Sequence, residues 1–222
     1  MKIFQISLLS LTSHIKNVYK KMMHTDIKFS KNVLLMDVSL LSNEVARVRR
    51  TLSKELKREL PLIDLPKWLV CLALDGDVLR VGGDVQVILV HRHPDEQLPE
   101  VAQPDFLKRD GMAFYVPSVG EFSISCVHPA GFTEPHSLYF DLMQLLLDAA
   151  DVANLMLVYS EEDYQASVRE ELDKLVKEKG AATAEKACLY RILSAPAEVS
   201  CRQKDMVPSL AHVFEIKPEE IG

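Results

Sequence analysis

The sequence predicts a three-layer α/β domain: a mixed, mainly parallel central sheet, helices on both faces and a hairpin-rich middle. Three observations carry this. Short continuous apolar runs recur along the chain, at 33–38, 85–90 and 154–159 among others, and such runs suit strands covered on both faces. Towards both ends of the chain these runs alternate with amphipathic helical stretches, the order that builds a parallel sheet. In the middle the runs lie too close together for crossover helices, which suggests antiparallel hairpins.

Taken in order, VLLMDV at 33–38 reads as a buried strand interrupted by one acid, Asp37. Ser42 then caps a helix to about residue 60, with Val45, Val48, Leu52 and Leu56 on one face and Pro61 beyond its end. WLVCLAL at 68–74 is expected to be a second strand, paired as a hairpin with VQVILV at 85–90 across the turn signals Asp75-Gly76 and Gly82-Gly83. A polar stretch with Pro94, Pro99 and Pro104 reads as a loop. MAFYV at 112–116 and FSISCV at 122–127 read as strands joined by a turn. The stretch 137–150 is apolar on almost every side, as a helix buried between layers would be. Strand 154–159 leads into a helix with Tyr164, Val168, Leu172, Leu175 and Val176 inward and Gly180 as its cap. ACLYRIL at 187–193 reads as a strand, and a last helix begins at Asp205 with Leu210, Val213, Phe214 and Ile216 inward.

The chain has 222 residues and a net charge of −6. Residues 1–31 hold six lysines and one acid, a charge of +5, so the remainder carries −11. The first 31 residues are therefore expected to be a basic, poorly packed extension, and 32–222 a single α/β domain. The apolar run at 3–11 is too short to span a bilayer and has no good cleavage site after it. An acidic body argues against broad nucleic-acid binding, which rests on neutralising phosphates. None of the four cysteines forms a C-x-x-C pair and three sit in apolar runs. They read as reduced thiols in a cytoplasmic protein.

No P-loop, G-x-G-x-x-G, G-x-S-x-G or H-E-x-x-H motif occurs. His91 and His93 could face one metal from a strand, but they also fit two polar residues where a strand leaves the sheet. The carboxylates carry more. Asp37 ends an apolar strand, Asp141 sits on the most apolar helix, and Glu161, Glu162 and Asp163 follow strand 154–159. If those strands are neighbours the acids converge at one sheet edge. Clustered carboxylates repel unless a cation such as Mg²⁺ or Mn²⁺ sits among them, an arrangement suited to phosphodiester hydrolysis.

VLLMDVSLL and LMLVYSEEDYQASVREEL resemble the first and fourth strand motifs of the PIN-like nuclease fold, and more closely its NYN branch. Ser160, Asp163 and Tyr164 are similar to the serine, last acid and aromatic of that branch's Ser-Gly-Asp-x-Asp-Phe, with Glu161 or Glu162 in place of the earlier Asp. Asp141 would match its helix acid. The resemblance implies a metal-dependent RNA nuclease in which Asp37 and Asp163 are catalytic and Asp37, Asp141, Glu162 and Asp163 hold Mg²⁺ or Mn²⁺. This chain lacks the motif's glycine and the Lys-Gly-x-Asp run before the buried helix, and its corner is one residue shorter.

The same residues have a structural explanation. Ser160 followed by Asp163 fits a capping box, Glu161 and Glu162 complement a helix dipole, and Asp37 can begin a turn. Two readings follow. One is a non-catalytic interaction or structural protein, with a protein partner or a second copy. The other is a nuclease whose partner is RNA.

Overall fold

A computed structural model describes residues 28–103, 111–129, 134–164, 167–192 and 200–220. The apolar run at 3–11 and most of the expected extension lie outside these residues. At the end of that stretch, Phe29 packs against the core, the Ser30 amide donates to Gln86 Oε1 (3.3 Å), and the Lys31 carbonyl accepts from Ala153 and Asn154 (both 2.9 Å).

Among the described residues the sheet has seven strands in the order β3-β4-β2-β1-β5-β6-β7. They are β1 (Asn32–Asp37), β2 (Val85–Val90), β3 (Met112–Val116), β4 (Gly120–Val127), β5 (Asn154–Val158), β6 (Ala187–Arg191) and β7 (Arg202–Asp205). All neighbours are parallel except the β3–β4 hairpin. Without β3, the six parallel strands follow the 3-2-1-4-5-6 order of a doubly wound sheet. β1 and β5 are adjacent and parallel, Asn32 opposite Asn154 through Met36 opposite Val158, which meets the condition for the acids after them to converge.

Alternation along each strand sends side chains to two cores. Leu34, Met36, Val87, Leu89, Met156 and Val158 face one side. There they meet a helix beginning with the π-turn Leu41–Val45 and continuing as α1 (Ala46–Glu55), then α2 (Leu65–Asp75) and, late in the chain, α8 (Val207–Val213). Val33, Leu35, Ile88, Val90, Leu155 and Leu157 face the other side. That side is covered by α4 (Pro135–Asp148) and α6 (Ser167–Lys179). The remaining short helices among the described residues are α3 (Val78–Val81), α5 (Glu161–Tyr164), α7 (Ala181–Lys186) and a 3-10 turn at Pro218–Glu220. Among the described residues no helix is long and apolar enough to cross a membrane.

Two expectations are corrected. WLVCLAL is not a strand and forms no hairpin with β2; it lies in the eleven-residue helix α2. α2 packs between the sheet and α8 with Leu65, Trp68, Leu69, Leu72 and Ala73 buried at helical spacing, but its outward positions Val70, Cys71 and Leu74 are apolar as well, so the period fades in the sequence. Its start was nonetheless written in the chain: Asp64 Oδ1 caps the Lys67 amide (3.1 Å) and Pro66 sits in the first turn. β7 was not expected. Its sequence RQKD has no apolar run, because an edge strand needs none.

Candidate functional site

In a doubly wound sheet, ligands bind beyond the carboxyl ends of the strands, where the chain turns to opposite faces. Here that place lies between β1, whose following helices cover one face, and β5, whose following helices cover the other. It is the corner that holds Asp37 and Ser160–Asp163.

Asp37 is buried at the end of β1. One carboxylate oxygen accepts from the Ser39 amide (2.9 Å) and the other from the Ser39 hydroxyl (2.7 Å). The acid thus starts the turn that leads from strand to helix. Burial raises its pKa; the Ser39 bonds oppose this, and the charge of Asp163 adds to it. The Tyr164 ring lies beneath, packed among Tyr139, Tyr159, Phe140 and His136, with ring centres 5.3 to 6.4 Å away.

Across the corner, the Ser160 hydroxyl accepts from the Asp163 amide (3.3 Å), the contact expected of a helix cap. Asp163 itself accepts from Asn43 Nδ2 (2.7 Å) and pairs with Arg92. Burial works against its charge, but Arg92, Ser39 and Ser160 outweigh it and hold the carboxyl below its ordinary value. Glu162 pairs with Arg47, and Glu161 with Arg169.

The segment after β1 reaches over to close the gap. Asn43 donates to Ser160 Oγ (3.0 Å). Glu44, 1% exposed, accepts from the Glu162 amide (2.9 Å) and the Ser160 hydroxyl (3.2 Å) through one oxygen, Oε1. Its other oxygen, Oε2, is buried with no hydrogen-bond partner. Burial raises the Glu44 pKa, and the charge of Glu162 adds to the rise. Both Asn43 and Glu44 belong to the π-turn, a helical irregularity frequent at functional sites.

Asp37, Glu162 and Asp163 therefore share the corner. Asp141 is on α4, half-buried, with Oδ2 unpartnered; burial alone raises its pKa. Among the described residues no three His, Cys, Asp or Glu side chains are grouped so as to hold one metal ion. His91 and His93 do not act together: His91 is buried beside Glu96 (3.6 Å), and His93 is exposed in the loop after β2.

The matching family model is described as "Family of unknown function (DUF6621)" and covers residues 26–221. The chain belongs to DUF6621. No curated protein and no solved structure matches it.

In this DUF6621 member, sequence reasoning found the acids of the corner and missed what meets them. Ser39, Asn43, Glu44, Arg47 and Arg92 are all absent from the sequence-based site. Glu44 carried one usable signal, an acid among the buried positions Leu41, Val45 and Val48 of a helix. Arg92 carried none, since an exposed arginine in a loop is ordinary.

Proposed function

We propose that this is a non-catalytic interaction or structural domain built on a PIN/NYN-like α/β fold. One observation carries the reading: the crevice between β1 and β5 is closed by the protein's own side chains. Glu44 is seated on the Glu162 amide, where a ligand at this corner would sit. Arg92 and Arg47 supply to Asp163 and Glu162 the positive charge that a metal ion would otherwise supply. Both oxygens of Asp37 accept from Ser39. Carboxylates so engaged do not fit a divalent cation, which needs oxygen lone pairs free to face it. The order of the parallel strands is compatible with the fold resemblance, and the missing glycine and the acidic body support the loss of catalysis.

The alternative, a Mg²⁺- or Mn²⁺-dependent RNA nuclease, makes a distinct prediction. A metal that binds only the native state raises the melting temperature. We expect no shift at millimolar Mg²⁺ or Mn²⁺ and no metal-dependent cleavage of single-stranded RNA. A rise in melting temperature that Asp163→Asn abolishes would overturn the reading in favour of the nuclease.

A further inference from the structure

We infer that the outer face of α1 is a docking surface for a short acidic segment of a partner protein. That partner class belongs to the interaction domain proposed above and rests on that reading. The positive charge of the body is gathered in one stretch. Residues 46–58 hold six basic residues and one acid, a charge of +5. The rest of 32–222 carries −16. Val48, Leu52 and Leu56 turn to the core, so the basic residues are left to the other sides.

Three of the six basic residues already hold carboxylates of this chain. Arg47 pairs with Glu162, Arg49 with Glu100 (3.2 Å), and Arg58, just past the helix, takes both oxygens of Glu220 (2.8 and 3.1 Å). The other three, Arg50, Lys54 and Lys57, are exposed and form no ion pair among the described residues. Arg47, Arg50 and Lys54 are spaced three and four apart, so they line one face of α1, and Lys57 continues the line beyond its end. Glu55 lies about 100° further round the axis. Like charges at this spacing disfavour a helix. The helix dipole offsets this for Lys54 and Lys57 near the carboxyl end, but not for Arg50. Carboxylates from a partner would offset it for all three, as this chain's own carboxylates do for Arg47, Arg49 and Arg58.

The size of the line favours a short segment. From Arg47 to Lys57 it runs about 15 Å, which about five residues of extended chain span. A nucleic acid or a membrane surface would reach past it over the acidic remainder and be repelled within the Debye length, about 8 Å at physiological salt.

Fluorescence anisotropy of a labelled decaglutamate peptide, titrated with the full chain at about 50 mM and about 200 mM salt, tests this. We expect saturable binding at the lower salt that weakens at the higher. Arg50→Ala with Lys54→Ala should raise the dissociation constant by about tenfold. Removing the same charge elsewhere, by Arg80→Ala with Lys174→Ala at two exposed positions, should change it by less than about twofold. Alanine favours a helix, so the α1 variant should melt no lower than the wild type. Absence of saturable binding, or equal losses in the two double variants, would overturn the proposal. So would single-stranded RNA or anionic lipid vesicles binding more tightly than the peptide through Arg50 and Lys54. Such failures, with no metal-induced rise in melting temperature, overturn the partner class alone. A rise that Asp163→Asn abolishes overturns the interaction reading itself, and this proposal with it.

Discussion

The strand pair β1–β5 carries a polar network at each end, and the two are built from different chemistry. At the amino end, Asn32 and Asn154 stand opposite each other in register. Asn154 Nδ2 donates to Asn32 Oδ1 (3.1 Å) and to the Gly76 carbonyl (2.9 Å), and Asn154 Oδ1 accepts from Arg202 (2.6 Å). Asn32 donates in turn to the Gly82 carbonyl (3.0 Å). At the carboxyl end, Asp37, Glu44 and Asp163 do the corresponding work. An amide brings both donors and acceptors, so the two amides satisfy each other and the nearby carbonyls, and Arg202 adds a charged donor. An ionised carboxylate only accepts. The corner must import donors from Ser39, Asn43, Arg92 and the backbone, and it still leaves Glu44 Oε2 without one. The amino end holds the sheet together, whereas the carboxyl end keeps buried charge at some expense of stability.

Removing a group from the amino end should therefore have the largest effect. Asn154→Ala leaves Asn32 Oδ1 and one nitrogen of Arg202 each short of a partner, while the Gly76 carbonyl keeps its longer bond from Arg202 (3.4 Å). Unsatisfied buried groups cost about 1–3 kcal/mol each, with partial relaxation by the neighbours. We expect a loss of about 3 kcal/mol, read from the urea midpoint at unchanged slope. A loss below about 1 kcal/mol would mean that this network is incidental to stability.

Neutralising Glu44 should work in the opposite direction. Its raised pKa means the folded state holds the proton more tightly than the unfolded one. The resulting stability is fully present below the ordinary glutamate value of 4.5 and is lost as pH rises through the raised folded value. Glu44→Gln keeps an acceptor for the Glu162 amide and removes the charge. At pH 8 the variant should be more stable than the wild type by about 1 kcal/mol, and the advantage should shrink as pH falls. Asp163 behaves the other way. Its lowered pKa gives stability that is present above the ordinary aspartate value of 3.8 and lost as pH falls through the folded value. Thermal melts of Glu44→Gln across pH, set beside the wild type, check the sign.

The contrast also explains what could be read from the chain. β1, β2, β5 and β6 were legible because strands buried on both faces are written as unbroken apolar runs. The same rule misled at 68–74, where a helix whose outward positions Val70, Cys71 and Leu74 are also apolar is equally unbroken. Length and the Asp64-Leu65-Pro66 start were the better guides there. At the corner, Asp37 and Asp163 stood out because acids beside apolar strands are rare. Their partners did not, since Asn43, Arg47 and Arg92 are unremarkable in sequence and meet the acids only once β1 and β5 lie side by side. Convergence of residues 120 positions apart, such as Asn43 and Asp163, is a property of topology rather than of any local pattern.

The smallest effect should come from the outermost layer of the corner. Arg47 and Glu162 form an ion pair, but their side chains are 51% and 45% exposed. Water screens such a pair, and ordering two long side chains offsets much of the attraction. Glu162 also contributes through its backbone amide, which Glu44 accepts and which no side-chain substitution removes. Arg47→Ala and Glu162→Ala should each change stability by less than about 1 kcal/mol, with a coupling in the double-mutant cycle of about 0.5 kcal/mol or less. That coupling should fall further as salt is raised. Arg92 with Asp163 makes the internal control. Asp163 is 29% exposed by side chain, and Asn43 shares it, so that cycle should give the larger coupling of the two. If the Arg47–Glu162 coupling proves the larger, the corner is held from its rim rather than from Glu44 and Asp163 within, and the division between the two ends of β1–β5 would have to be redrawn.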